Sequence, residues 1–469
     1  MRLIIIGGGI SGLSLAYFLL EREPSLDIII LESEKRAGGK IWTDKANGFL
    51  CESGVNGFLD SKPKTLELAA RLLLNPLRSN DASRRRFIYS EGKLHLLPES
   101  PVSFFTSSLI SPLGRLRIIY EIFVPKGNKD DETLADFARR RLGREAYEKL
   151  IDPMASGIYA GDPEVMSLKS CFPRIYELEM NYGSLIRAMI KLQKIGPGPA
   201  GVLTSFYDGM ETLIISLKGF LGDSVRLGAK VLSIEKKGNN YIAHLSDNLR
   251  VETEVLVIAS PSYAASEMLR DFDRGLSSTL SEILYPAVSV ICLGFKKEKI
   301  QKSLDGFGFL VPNRERRKIL GTLWDSSIFP NRAPEGYVLL RSMLGGSRAS
   351  ELAMQDENKL INIVMDELMK IMDIKAQPDF AKVYRHERAI PQYSLGHINR
   401  LRTMDEILSK YRGLYLTGNA YRGISVNDCI ENSYKLAERI IKEIDDNIFK
   451  TRITPFCHCE PKAKQSQNK

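Results

Sequence analysis

Leu3-Ile4-Ile5-Ile6-Gly7-Gly8-Gly9-Ile10-Ser11-Gly12 is the stretch on which the reading of the fold turns. Four large aliphatic residues in a row read as a buried strand, and the glycines that end it open an amphipathic run through Leu20. Asp27 to Glu32 is a second apolar run, so the unit reads as strand, glycine turn, helix, strand. Gly7, Gly9 and Gly12 have the G-x-G-x-x-G spacing, and Glu32 stands 20 residues beyond Gly12 at the end of the next strand. In this pattern Gly7 permits a tight turn, Gly9 lets backbone approach a pyrophosphate, and Gly12 allows close packing of helix on sheet. Gly8, Ile10 and Ser11 complete a turn whose helix N-terminus offers free N–H groups to phosphate. A carboxylate at Glu32 can accept both ribose hydroxyls and would repel a 2′-phosphate, which disfavours NADP.

The dinucleotide motif alone does not separate FAD from NAD, since both contain an adenosine diphosphate half. Downstream, Gly38-Gly39-Lys40 offers small residues and a cation for a second approach to phosphate, followed by Glu52-Ser53-Gly54-Val55-Asn56-Gly57. With these elements the chain resembles the flavin amine oxidase and porphyrinogen oxidase superfamily, where a Gly-Gly-Arg element and an acid-Gly segment follow the acid-ending strand. Lys40 stands where that superfamily often has Arg, keeping the cation but losing the bidentate fork.

Further segments are similar to the oxygen-dependent protoporphyrinogen and coproporphyrinogen oxidases specifically, in family order from residue 1 to about 445. They include Arg86-Phe87-Ile88-Tyr89, Arg139-Arg140-Arg141-Leu142-Gly143, Gly157-Ile158-Tyr159-Ala160-Gly161-Asp162-Pro163 and Cys171-Phe172-Pro173. Gly306 to Pro312, Phe329 to Pro334, Ala389 to Tyr393 with Gly396-His397, and Gly418 to Ile430 continue the series. The resemblance implies FAD contacts at Gly7 to Gly12, Glu32, Gly38 to Lys40 and Gly54 to Gly57. It adds Val231 near the adenine and Gly418 with Ile424-Ser425-Val426 near the flavin ring. Gly418 and Gly423, ending a strand before a helix, are expected to offer backbone N–H groups to an anionic reduced flavin. The family also places Arg86 against a substrate propionate, Phe307 and Leu310 against the tetrapyrrole faces, and Gly157 as a backbone acceptor near pyrrole nitrogens.

A porphyrinogen is a broad apolar ring edged with carboxylates, so it calls for apolar walls and a guanidinium fork. No protein nucleophile is needed, no residue is assigned as catalytic, and His386 and His397 read as core or surface histidines. Molecular oxygen is the implied acceptor, with hydrogen peroxide as product. The competing readings are a flavin amine oxidase, which would need an aromatic cage for its amine cation, and a flavin- or tetrapyrrole-binding protein without turnover.

Working outward, the predicted architecture is α/β, with a Rossmann-type FAD-binding domain, a sheet-containing substrate domain and a mainly helical insertion. The FAD-binding domain is discontinuous over residues 1–84, 203–265 and 405–447; the helical domain spans 85–202, and the substrate domain spans 266–404. Residues 448–469 read as a polar, basic, disordered tail.

A composition of 43% hydrophobic and 26% charged residues over 469 positions is that of a globular chain of two or three domains. The formal charge of +9 comes without a nucleic-acid-binding motif, so no nucleic-acid partner is expected. Six scattered cysteines argue against a disulfide framework, and the Cys457-His458-Cys459 cluster lacks a second ligand pair, so no metal is expected. Apolar stretches fall short of the roughly 20 residues of a spanning helix, and the N-terminus lacks signal-peptide features. Cytoplasmic residence follows. Phe104-Phe105, Leu109-Ile110, Ile118-Ile119-Tyr120 and Ile122-Phe123, flanked by Arg115, Arg117 and Lys126, form a candidate for peripheral contact with the inner face of the cell membrane. A homodimer is a further partner the sequence allows.

Overall fold

Two strands of the opening unit, β1 (Arg2–Ile6) and β2 (Asp27–Leu31), pair in parallel and are joined by helix α1 (Ile10–Arg22). The computed structural model describes residues 1–98, 100–193 and 201–452. After an exposed charged first residue, both strands are apolar and buried, because both of their faces are covered. Leu3, Ile5, Ile28 and Ile30 pack in one core with α1 and residues of the C-terminal helix. Ile4, Ile6, Ile29 and Leu31 pack in another, beneath the antiparallel strands Val231–Lys237, Asn240–Leu245 and Arg250–Thr253.

Val255–Ile258 and then Leu414–Leu416 extend this sheet beyond β1, and Val225–Arg226 extends it beyond β2, giving five parallel strands. The chain therefore leaves the sheet after β2 and returns to it from two distant stretches. The α/β class read from the sequence holds.

A second sheet of seven strands runs in the order Phe380–His386, Val288–Lys296, Tyr337–Gly345, Ile319–Leu323, Gly308–Leu310, Arg86–Ser90, Lys93–Leu96. Its pairs are antiparallel except that Gly308–Leu310 runs parallel to Arg86–Ser90. Helix Glu357–Met372 covers one face through Leu360, Val364, Leu368 and Ile371; its N-cap, Asp356, accepts the Lys359 N–H at 2.9 Å.

Two expectations change here. Residues 86 to 96 are a hairpin of this sheet, not the start of the helical region, because Phe87-Ile88-Tyr89 finds an edge to pair with in Gly308–Leu310. Within the helical region, Leu134–Leu142 ends at Gly143, where φ is +90°, and a π-helical turn, Tyr147–Ile151, leads into Asp152–Tyr159. The final helix, Val426–Arg452, continues past the expected end of ordered chain near Ile448; the rest of the tail, with Cys457 and Cys459, lies outside the described residues.

Of the apolar run proposed for membrane contact, Leu109 and Ile110 are buried in a small core with Ile88, so only part of it is available. Arg141 is also fully buried, donating to Glu179 at 2.8 Å and Glu121 at 3.1 Å, which gives the triple-arginine segment a role in the interior of the helical region. No helix among the described residues is long and apolar enough to cross a membrane. Cys51, Cys171, Cys292 and Cys429 are buried and free. No group of residues suited to a metal ion occurs among those described.

Candidate functional site

The carboxyl ends of the parallel strands lead directly into the predicted glycine turns, which is where open α/β sheets bind ligands. Gly7 has φ +112°, and a Cβ there would lie 2.9 Å from the Ala259 backbone. At Gly12 a Cβ would fall 2.0 Å from the Gly7 carbonyl oxygen, so close packing requires glycine. Gly9 differs: nothing lies within 4 Å of its Cβ position, and as N-cap of α1 it supplies no side-chain cap. The first turn of α1 therefore keeps its N–H groups aimed into open space. Behind it, Ser11 is buried, and Ile10 is partly buried against the core.

Glu32 is buried at the end of β2, and its carboxylate accepts the Gly8 N–H at 2.7 Å and the Glu34 N–H at 2.8 Å. The Gly38 N–H donates to the Gly8 carbonyl at 2.8 Å, stitching the second glycine element to the first. Gly39, with φ +57°, lies close enough that a Cβ would be 3.6 Å from the Gly9 Cα. Lys40 donates its ammonium to the Arg388 carbonyl, and burial pulls its pKa down to about 8. His386 donates from Nε2 to the Ser53 carbonyl at 2.8 Å; burial lowers its pKa, with the Lys40 charge adding to the effect.

The acid-Gly segment is held from behind. Glu52 is fully buried, accepting from Thr43 Oγ1 at 2.7 Å and the Met210 N–H at 2.8 Å, and burial pushes its carboxyl up to about 7 despite Arg332 at 3.7 Å. Gly54 is exposed and Val55 packs partly on the main core, while Gly57 serves the chain itself: a Cβ there would strike the Thr204 carbonyl at 2.5 Å. Asn56 has both side-chain amide atoms buried without a partner among the described residues.

At the far strand end, Gly418 has φ +129° and Gly423 φ +98°. The expectation that Gly423 offers its N–H to a ligand fails, because that N–H donates to the Tyr393 hydroxyl at 3.0 Å. Ser425 caps the final helix through its own hydroxyl, accepting the Asp428 N–H at 3.1 Å and donating to Asp428 Oδ2 at 2.7 Å. Ile424 packs partly against the helical region, whereas Val426 and Val231 place their side chains in the two cores of the parallel sheet.

The four residues read as substrate contacts form two pairs beside the Gly308–Leu310 strand, Arg86 with Phe307 and Leu310 with Gly157. Arg86 and Gly308 are register partners, and the Arg86 guanidinium lies over the Phe307 ring, 5.2 Å from its centroid. Leu310 packs against Gly157 so tightly that a Cβ on the glycine would meet its methyl at 2.7 Å. Arg84 pairs with Asp81 and Arg85 with Asp305, but Arg86 has no carboxylate partner among the described residues.

Sequence reasoning missed the residues that brace these surfaces. Arg341 is buried in the Tyr337–Gly345 strand of the seven-stranded sheet, pairs with Asp325 at 2.8 Å and donates to the Gly54 carbonyl at 2.9 Å. Tyr393 and His397 lie behind the Gly418–Gly423 turn. An arginine inside the apolar strand Tyr337–Gly345 was the available signal, since buried charges are rarely left unpaired.

The residues fit a flavin dinucleotide: an uncapped helix end, open space over Gly9, and the unpaired polar atoms of Asn56 and Ser260 all call for a polar ligand along the strand ends. Comparison with known proteins points the same way. The family described as flavin containing amine oxidoreductase matches residues 10–441. Coproporphyrinogen III oxidase of Bacillus subtilis (strain 168) is 32% identical over 451 residues, 92% of this chain and 96% of that protein. Chloroplastic protoporphyrinogen oxidase of Oryza sativa subsp. japonica is 34% identical, over 93% of this chain and 87% of its own. A crystal structure from Exiguobacterium sp. 255-15, assigned as a protoporphyrinogen oxidase, superposes with a TM-score of 0.82 at 27% identity, covering 94% of this chain and 99% of that one.

Proposed function

This chain belongs to the flavin containing amine oxidoreductase family, and from that premise we propose that it is an FAD-dependent porphyrinogen oxidase of haem (porphyrin) biosynthesis. It converts protoporphyrinogen IX or coproporphyrinogen III to the porphyrin, removing six electrons and six protons, which three molecules of oxygen accept to give three of hydrogen peroxide.

The observation that carries this reading is Arg86. Its two neighbours in the arginine run are committed to aspartates, while its guanidinium is stacked on Phe307 with its fork left for an incoming anion. A cationic amine would be repelled there. Phe307 and Leu310 supply apolar walls, and the Gly157 carbonyl lies in the last turn of helix Asp152–Tyr159, where carbonyls lack donors from their own helix and can accept a pyrrole N–H.

A bound flavin supplies a two-electron hydride acceptor. The chain binds and orients: the α1 N-terminus and Gly9 receive the pyrophosphate, Glu32 the ribose, and Arg86 one propionate. His397 has no proton role in this scheme, since it is buried and donates to the Tyr421 carbonyl at 3.0 Å.

Peripheral contact with an anionic leaflet, on the cytoplasmic side, is supported by the helical region. Phe105, Leu116, Ile119 and Tyr120 are exposed, as are Leu113 at 78% and Phe123 at 70%. Among the described residues, the charged ends of Arg115, Arg117 and Lys126 hydrogen-bond only backbone carbonyls, which leaves their charge available to lipid.

The purified protein should be yellow, release FAD on acid precipitation, and consume oxygen with a porphyrinogen. Release of FMN or NAD, or no oxygen uptake with either porphyrinogen, refutes the assignment; relative rates with the two identify the substrate.

A further inference from the structure

Tyr393 is buried between the candidate flavin turn and the helical region that carries Gly157. Its hydroxyl donates to the Asn419 carbonyl at 2.5 Å and accepts the Gly423 N–H at 3.0 Å, bridging both limbs of the turn that starts at Gly418. Its backbone carbonyl accepts the Ser167 N–H at 2.9 Å from the helical region. Its ring is stacked on His397, with centroids 4.1 Å apart and planes 14° apart.

His397 holds the same turn at a third point. A carbonyl can only accept, so the contact between Nε2 and the Tyr421 carbonyl places the proton on Nε2. The residue before Tyr393, Gln392, reaches the other way: its Nε2 donates to the Tyr159 carbonyl at 2.9 Å, at the end of the helix that carries Gly157. Its Oε1 accepts from Ser347 Oγ at 3.1 Å. Adjacent residues of one strap thus hold the flavin turn and the substrate helix.

We propose that Tyr393, backed by His397, is a positioning residue that sets the Gly418–Gly423 turn against the flavin ring and couples that setting to the substrate helix through Gln392. This rests on the reading of residues 424–426 as facing the flavin. The turn has two glycines at positive φ, so its own backbone does little to specify its path, and three side-chain contacts from one strap do so instead. Buried polar groups satisfied in this way fix one arrangement because leaving any of them unpaired is costly.

The test is Tyr393→Phe in the flavin-loaded protein, which keeps the ring stack and removes both hydroxyl contacts. Flavin content should stay near wild type, while the visible flavin absorption bands shift. The rate of flavin reduction by a porphyrinogen under anaerobic stopped flow should fall by about ten- to a hundredfold, as displacement of reacting groups by a fraction of an ångström to 1 Å allows, with KM within about twofold. His397→Phe retains a stacked ring and loses only the Tyr421 contact; it should show smaller changes of the same kind, and it stands in if the tyrosine variant does not fold. Lowered thermal stability with an unchanged flavin spectrum and reduction rate overturns the inference and leaves a structural role. Wild-type protein that binds no flavin overturns the reading of the site itself.

Discussion

Arg86→Ala isolates the contact on which the substrate reading depends. In the free protein the guanidinium lies over Phe307 without a carboxylate partner among the described residues, so its removal leaves no buried acid uncompensated and the fold should survive. The lost cation–π contact, about 0.5–1 kcal/mol at an exposed site, is made with and without substrate and largely cancels from the specificity constant. What does not cancel is the charge-assisted hydrogen bond to a propionate, worth about 1.5–3 kcal/mol, which predicts a loss in kcat/KM of roughly ten- to 150-fold at unchanged flavin content. Arg86→Lys should recover part of this, because an ammonium keeps the charge without the bidentate fork. Arg85→Ala is the control: it breaks a solvent-exposed pair with Asp305, worth at most about 1 kcal/mol of stability, and should leave turnover unchanged. The assay is steady-state oxygen uptake over a range of porphyrinogen concentrations, with flavin quantified in each preparation. Wild-type kinetics in Arg86→Ala, or equal losses in Arg85→Ala and Arg86→Ala, would refute the argument.

Gly9→Val should abolish flavin binding while leaving a folded apoprotein, since its Cβ position is open, whereas Gly12→Ala should disrupt the fold because its Cβ would meet the Gly7 carbonyl; flavin content and circular dichroism separate the two. Two buried groups set opposing pH slopes. Glu52, pushed up to about 7, keeps a proton that the unfolded chain gives up near 4.5, so stability falls as pH rises across that window. His397, lowered by burial to about 4, refuses a proton that the unfolded chain takes up near 6.5, so stability falls as pH drops toward 4. Each amounts to about 3 kcal/mol, and they offset between pH 4.5 and 6.5; Glu52→Gln should therefore steepen the acid-side loss in urea unfolding, and a slope parallel to wild type would count against it. Binding to anionic vesicles should fall with salt and with Leu113→Glu/Phe123→Glu, as followed by sedimentation; no binding at low salt argues against the membrane surface.

The unit from Leu3 to Glu32 was legible in the sequence because its information is local. An apolar run, three glycines at fixed spacing and an acid at the end of the next run specify their own geometry within about thirty residues. Arg86 drew attention only through its resemblance to a family, since a run of three arginines does not say which two will find aspartates; that was decided when Arg86 paired beside Gly308. Tertiary structure also decided that the Gly423 N–H is taken by Tyr393, that Arg341 holds the Gly54 carbonyl, and that Gly57 faces Thr204. Local spacing determines which backbone groups a turn leaves open; whether they remain open for a ligand depends on groups that arrive from elsewhere in the chain, 30 residues away for Tyr393 on Gly423 and 287 for Arg341 on Gly54, and chain periodicity carries no record of those meetings.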